Sequence, residues 1–382
     1  MKPRILALLA GVAGLSLAMS IPVAAQSVAI NDWNGVVAKA KQEGLVVVHG
    51  APGRRYAEVF VKAFNKAYPD IRVQFSGASN RTDVPKLLRE RKANIYAWDV
   101  WVSGPSTAVS RLKPRGIFQP LRQYLRPETM EDRNWHNGFN AGWMDNEKKF
   151  FYSFEGTVQN PISVNWDFVK KEQITSIKDL LKPEFAGKIV WHDPRYNGSG
   201  NGASQTLAAN FGDDFLRAFF KQKIVFTTNR RQVADWVVRG RHPIALGLDE
   251  NDVGVFQEQG LGKNIGPLPD SFYKVQQLSS GFGGLGVVDR APHPNAAAVY
   301  VNWLLSREGQ EEWAKVPRVS RRLDVAAVDK SLAPHPGVVY FNGQTEENAK
   351  QRLRLQEIAK EVIGVPAEPK GKKKRKKKDA AE

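Results

Sequence analysis

Residues 33–75 read WNGVVAKAKQEGLVVVHGAPGRRYAEVFVKAFNKAYPDIRVQF. Apolar positions recur at helical spacing from Trp33 to Glu43, and Gly44 stops that helix before Leu45-Val46-Val47-Val48, a run that reads as a buried strand. After the breaker Gly50-Ala51-Pro52-Gly53, a second helix places Tyr56, Val59, Phe60, Ala63, Phe64 and Ala67 on one face. Pro69-Asp70 ends it, and Ile71-Arg72-Val73-Gln74-Phe75 alternates as a second strand. A third helix over Val84 to Ala93 leads to the short strand Trp98 to Val102, which stops at Ser103-Gly104-Pro105. The order β-α-β-α-β predicts a parallel sheet covered by helices.

The alternation returns later in the chain. Gly187 to Trp191 reads as a strand, Ala203 to Phe211 and Asp213 to Phe220 as helices, and Ile224 to Phe226 as a strand. Val233 to Arg239 reads as a helix and Pro243 to Leu248 as a strand, so a second α/β lobe is expected. Two extended segments, Gly156 to Asn165 and the glycine-rich Ser279 to Val288, are the expected links between lobes. The expectation is therefore an α/β protein of two lobes with two hinge crossings and a ligand cleft between them. In open parallel sheets ligands sit at the carboxyl ends of the strands, where loops of both lobes face that cleft. The expected limits are 27–152 plus 278–325 for the first lobe and 153–277 for the second. Residues 326–365 are expected to form a C-terminal helical segment packed on a lobe, with Leu353, Leu355, Ile358 and Val362 buried.

The 382 residues, 42% hydrophobic and 25% charged, are enough for about two domains and exclude wholesale disorder. The ends carry their own messages. Lys2 and Arg4, an apolar run from Ile5 to Met19 and the small residues Val23-Ala24-Ala25 read as a secretory signal peptide over residues 1–25, which predicts a periplasmic protein. That apolar run is too short to span a bilayer. Eight bases crowd the last thirteen residues, so 366–382 reads as a disordered basic tail, with weak attraction to an anionic membrane or cell-wall surface as its functional reading. Bases exceed acids by 56 to 39, which favours anionic partners, but no nucleic-acid motif accompanies the charge and no nucleic acid is expected. The chain has no cysteine, which excludes disulfides, thiolate metal sites and cysteine nucleophiles.

Several segments together resemble the bacterial extracellular solute-binding proteins of ABC transporters, in particular the ferric-iron-binding-like group. They are AFNKAYPDIRV (Ala63 to Val73), WDVWVSG (Trp98 to Gly104), PISVNWDFV (Pro161 to Val169), DLLKPEFAGKIVWHDP (Asp179 to Pro194), GSGNGA (Gly198 to Ala203) and APHPNAAAVYVNWLLSREGQEEWA (Ala291 to Ala314). The resemblance implies two lobes that close over one small solute and deliver it to a membrane permease, acting as a monomer and without a cofactor. Ferric binders of this group offer a histidine, a glutamate and a tandem tyrosine pair, which here fall near Gly53, Gly104 and Glu250-Asn251; all three sets are absent, so no metal is expected, with ferric iron held by a non-standard ligand set as the alternative reading. His49 falls inside the first strand, where a satisfied core histidine is expected.

The anion-binding half of the pattern persists. Ser199, Gly200 and Asn201 open a helix, Asn229 precedes another, and Ser103-Gly104 and Gly53-Arg54 form further loops at strand ends. Arg54, Arg195 and Arg230 lie in or beside these loops as forks for carboxylate or phosphate. Asp249 and Glu250 end a strand and are read as partners for hydroxyls or an amine on the same solute, such as a sugar phosphate or aminophosphonate. Trp191 and Tyr196 are the stacking candidates beside the Gly198 to Ala203 loop. An exported hydrolase is the competing class, with His192, Asp193 and Ser199 as its ingredients. The sequence lacks a Gly-x-Ser-x-Gly elbow, a His-Glu-x-x-His pair, a phosphate loop and a dinucleotide fingerprint.

Overall fold

The computed structural model describes residues 28–365; the expected export segment and basic tail lie outside the described residues. Helix α1 (Trp33–Glu43) starts where the Asp32 carboxylate accepts from the Gly35 N–H at 3.0 Å and ends at Gly44, left-handed at φ 64°. Strand β1 (Leu45–Gly50) follows, then a helical path of α2 (Arg54–Ala57), a π-helical turn (Glu58–Ala63) and α3 (Phe64–Ala67), then β2 (Arg72–Gly77), α4 (Asn80–Lys92) and β3 (Val100–Ser103). The last strand starts two residues later than the apolar run, because the buried Asp99 carboxylate instead accepts from the Val47 and His293 backbone N–H groups. Helix α5 (Pro105–Thr107), a further π-turn (Ala108–Leu112) and several short 3₁₀ turns lead to β4 (Tyr152–Ser153).

The chain then crosses on β5 (Thr157–Gln159) into β6 (Ile162–Asn165), β7 (Ile189–His192), α6 (Ser199–Lys221), β8 (Ile224–Thr227), α7 (Arg230–Val238), β9 (Ile244–Leu246), α8 (Glu250–Gln257) and β10 (Ile265–Pro267). The two helices expected within 203–220 form one path kinked at Gly212, whose φ of 82° leaves the helical region. It returns on β11 (Gln276–Ser279) to β12 (Gly284–Val287), α9 (Pro294–Leu305) and α10 (Arg307–Ala314), and finishes with β13 (Tyr340–Phe341) and α11 (Glu346–Ile363).

Two five-stranded sheets result, ordered β2-β1-β3-β12-β4 and β10-β6-β9-β7-β8. Each has a parallel side, β2-β1-β3 in one and β9-β7-β8 in the other, continued by antiparallel strands. The predicted β-α-β order is therefore present twice. The two crossings pair with each other, Gln277 opposite Gln159, and β13 joins β11 to make a third strand of the link.

Every residue of α9 is buried, and its alanines 296 to 298 let it lie close against α1 in the first core. Leu355, Ile358 and Ala359 of α11 enter the second core beside α6. Leu353 does not: it is 49% exposed, because the stripe 352, 355, 356 and 359 faces inward and residue 353 lies off it by one helical step. The start of α11 is tied to the first lobe, where Glu346 pairs with Lys113 at 2.7 Å and accepts from the Asn146 N–H at 2.9 Å. Among the described residues no helix is long and apolar enough to cross a membrane.

Candidate functional site

A cavity of about 360 Å³ lies between the sheets, lined from both of them, from the crossing strands and from the C-terminal segment. The first lobe contributes Ser79, Asn80 and Arg81 at the start of α4 and Gly104, Ser106 and Thr107 after β3. Thr157, Gln159, Ser279, Gly281 and Phe282 come from the crossings. His192, Gly198, Ser199, Thr228, Arg230, Asp249 and Glu250 come from strand ends and helix starts of the second lobe, Arg318 from the stretch after α10, and Gln344 and Arg352 from the C-terminal segment. These are the carboxyl ends of the parallel strands, where such folds bind ligands.

The start of α6 is held from three sides. The Ser199 hydroxyl donates to the Gly247 carbonyl at 2.6 Å and lies 2.9 Å from His192 Nδ1. A Cβ at Gly200 would overlap the His192 carbonyl, so only glycine lets the helix start this close to β7. Burial, with Arg230 nearby, pushes the His192 imidazole down to about 4 and keeps it neutral. Asp193 commits both oxygens to Arg195, at 2.7 and 2.9 Å, so no carboxylate orients His192 as a base towards Ser199.

The acidic wall is a buried ion network. Asp249 accepts from Arg230 and Arg318 at 2.8 Å each, and Arg230 also reaches Asp252 at 3.0 Å. Arg318 lies 3.9 Å from Glu155 and 4.0 Å from Glu250. Although burial opposes it, the two guanidiniums hold the Asp249 carboxyl well below the usual range. Burial pushes Glu155 up to about 7, and burial with the Asp249 charge does the same to Glu250. Glu155 is fixed by the Thr157 hydroxyl at 2.8 Å and the Gly283 N–H at 3.1 Å. Asp249 and Glu250 thus meet arginines of the protein itself, where the sequence led us to expect solute hydroxyls or an amine.

Several other expected site residues lie elsewhere. Trp191 is fully buried among Phe219, Phe220 and Phe226, with its indole N–H donating to the Gly200 carbonyl at 3.0 Å; it is a core residue, not a stacking platform. Tyr196 is covered by the Arg81 guanidinium, 4.5 Å from its ring centre, and does not line the cavity. Arg54 points to solvent and pairs with Glu58 one turn on, while Gly53 stays off the cavity wall and Pro52 takes the place expected for it. Arg55, next in sequence, pairs with Glu258 at the C-terminal end of α8 in the other lobe. Arg195 is spent on Asp193 and the Gly364 carbonyl. Ser103 is buried behind Gly104. Asn229 caps α7 through the Gln232 N–H, leaving Thr228 on the wall. Gly200 and Asn201 are buried behind Ser199, and the Asn201 amide donates to the carbonyls of Pro194 and Arg352. His49 is a satisfied core histidine, bonded to Asp83 at 2.9 Å and stacked on Trp101.

Sequence reasoning missed Arg318, Glu155, Arg352, Asn80 and Ser106. Glu155 had a readable signal, a lone acid after the apolar run Phe150-Phe151-Tyr152-Ser153-Phe154. The others had none, since their place depends on where the C-terminal segment and two loops pack.

Two sheet-bearing lobes, paired crossing strands and a cavity between them are the architecture of a two-lobed binding protein. Residues 59–336 match the family described as bacterial extracellular solute-binding protein, and the chain belongs to that family. A Haemophilus influenzae relative carried as an uncharacterized protein is 22% identical over 305 residues, 78% of this chain and 81% of its own. The fold is similar to the solved structure of AfuA from Actinobacillus pleuropneumoniae, a periplasmic binding protein with exogenous fructose-6-phosphate bound (20% identity, TM-score 0.63, 85% of this chain and 100% of that one). It is also similar to the ferric binding protein from Campylobacter jejuni (16%, 0.65, 82% and 99%) and to iron-bound HitA from Pseudomonas aeruginosa (17%, 0.64, 82% and 99%). Proteins of this family bind small solutes and work with ABC transporter permeases.

Proposed function

We propose that the protein captures a small organic anion in the periplasm, bearing phosphate or carboxylate on a hydroxylated body, and hands it to an ABC permease by lobe closure. A sugar phosphate or a phosphonate is of this kind. One observation carries the reading: two long helices, α4 and α6, start on the same cavity from opposite lobes, at Ser79-Asn80 and Gly198-Ser199. The positive dipole ends of both helices favour an anion touched by both lobes. A ligand that touches both halves favours the closed form, which is what a permease can distinguish. The leader in residues 1–25 supports export, with cleavage after Ala25.

The ferric reading finds less support. Among the described residues no three His, Asp or Glu side chains gather as a metal site, and the cleft acids are engaged by Arg230 and Arg318. AfuA, the similar structure with fructose-6-phosphate, supports an organic anion as cargo, and the ferric binders support iron; the engagement of the cleft acids by the protein's own arginines favours the former.

The test is a thermal-shift screen of the chain without residues 1–25 against hexose phosphates, phosphonates, hydroxy-carboxylates, orthophosphate and ferric iron. A ligand at about a hundred times its Kd adds roughly 2.7 kcal/mol of stability, a shift of several degrees. A shift with an organic anion class is expected. A shift with ferric iron alone overturns the reading.

A further inference from the structure

We propose that Arg352 of α11 is the seat of the solute's anionic group, so that the C-terminal helix supplies the charge that selects the cargo. This inference builds on the cleft being the solute site, and it concerns a residue beyond the family match, which stops at 336. Arg352 is 4% exposed and lines the cavity. Its Nε donates to Gln205 Oε1 at 2.7 Å and to the Gly343 carbonyl at 3.0 Å. Those two bonds fix the guanidinium plane. Among the described residues, no carboxylate pairs with it and neither Nη atom has a protein acceptor. The free edge is therefore a two-donor fork, the geometry that matches two oxygens of a phosphate or carboxylate.

Burying a cation without a counter-charge is costly, and proteins ordinarily pair or neutralise it. The same cavity shows the usual solution twice, at Arg230 and Arg318, both held by carboxylates. Burial lowers Arg352 only to about 10, so it stays charged at neutral pH. A charge kept buried, oriented and unmatched on the wall of a ligand cavity is complete only when the ligand brings the anion.

Two further wall atoms indicate what the rest of the solute offers. Asn80 Oδ1 and Ser106 Oγ are buried, line the cavity and have no hydrogen-bond partner. A carboxamide oxygen can only accept, so its partner is a donor, which a hydroxyl supplies. The assigned class is thus a hydroxylated compound with one phosphate monoester or carboxylate group.

The experiment is calorimetric titration of the chain without residues 1–25, as wild type, Arg352→Gln and Arg352→Met, each checked for native near-ultraviolet circular dichroism. The probes are a hexose 6-phosphate, its parent hexose, a sugar-acid carboxylate and orthophosphate. At least one organic anion is expected to bind wild type and to lose ~30-fold or more in affinity in whichever variant keeps the native spectrum. Arg352→Lys, which keeps the charge and loses the fork, is expected to fall between. Unchanged affinity in the folded variants overturns the role of Arg352 and leaves the cleft reading standing. No binding of any organic anion to wild type overturns the cleft reading itself.

Discussion

Arg318 and Arg352 are both buried on the wall of one cavity, 6% and 4% exposed. Arg318 meets Asp249 at 2.8 Å with Glu155 and Glu250 close by, whereas Arg352 meets only a carboxamide oxygen and a backbone carbonyl. A guanidinium matched inside the protein serves to join its parts: Arg318 follows α10 of the first lobe, and Asp249 caps α8 of the second. An unmatched one awaits an external anion. The contrast teaches that counting arginines in a cleft says little about its ligand, because the counter-charges decide which of them is free to bind.

The largest effect is expected from removing the internal match. Asp249→Ala leaves Arg230 and Arg318 buried without their shared carboxylate and removes the N-cap of α8, which should cost about 3–5 kcal/mol in urea unfolding. A loss below about 1 kcal/mol would mean that the network is not integral to the fold. Next comes the start of α6. Gly200→Ala forces a Cβ into the His192 carbonyl and should cost about 1–3 kcal/mol in thermal unfolding, together with the response to organic anions.

The third prediction concerns pH. Glu155 binds its proton more tightly folded than unfolded, about 7 against 4.5, so the folded state holds more protons across that window. Its contribution therefore falls as pH rises from about 4.5 to about 7. His192, lowered from 6.5 to about 4, contributes in the opposite sense as pH rises through its own window. The comparison of Glu155→Gln with wild type isolates the first term: the difference in urea stability should grow in the mutant's favour from pH 5 to pH 8. A constant difference would show that Glu155 titrates alike in both states. The smallest effect is expected at Arg54, whose exposed pair with Glu58 is worth at most about 0.5 kcal/mol. Arg54→Ala should leave both stability and anion response unchanged, and a lost response would return that loop to the site.

Much of the fold was legible because it is written in local periodicity. The strands at 45–50 and 72–77, the kinked helix around Gly212 and the helix Glu346–Ile363 all carry their signals within a few residues. The cavity wall was legible where strand ends and helix starts mark it, as at Gly104, Ser199, Arg230 and Asp249-Glu250. Side-chain direction was not. Arg54 and Arg55 are neighbours in one turn, yet one faces solvent and the other bridges to Glu258. Trp191 stands in a strand beside His192, and the two-residue alternation that puts His192 on the cavity sends Trp191 into the core. Arg352 has no local mark at all, since its exposure to the cavity follows from how α11 docks on α6.

The central claim is that an anionic group on the solute, seated in the cleft, supplies the missing counter-charge. The most direct measurement is the affinity of matched pairs, a hexose against its 6-phosphate and a sugar alcohol against its sugar acid, titrated into the wild-type chain. The charged member of at least one pair is predicted to bind ~30-fold or more tightly than its neutral parent. Equal affinity within every pair, or binding of ferric iron alone, would contradict the account.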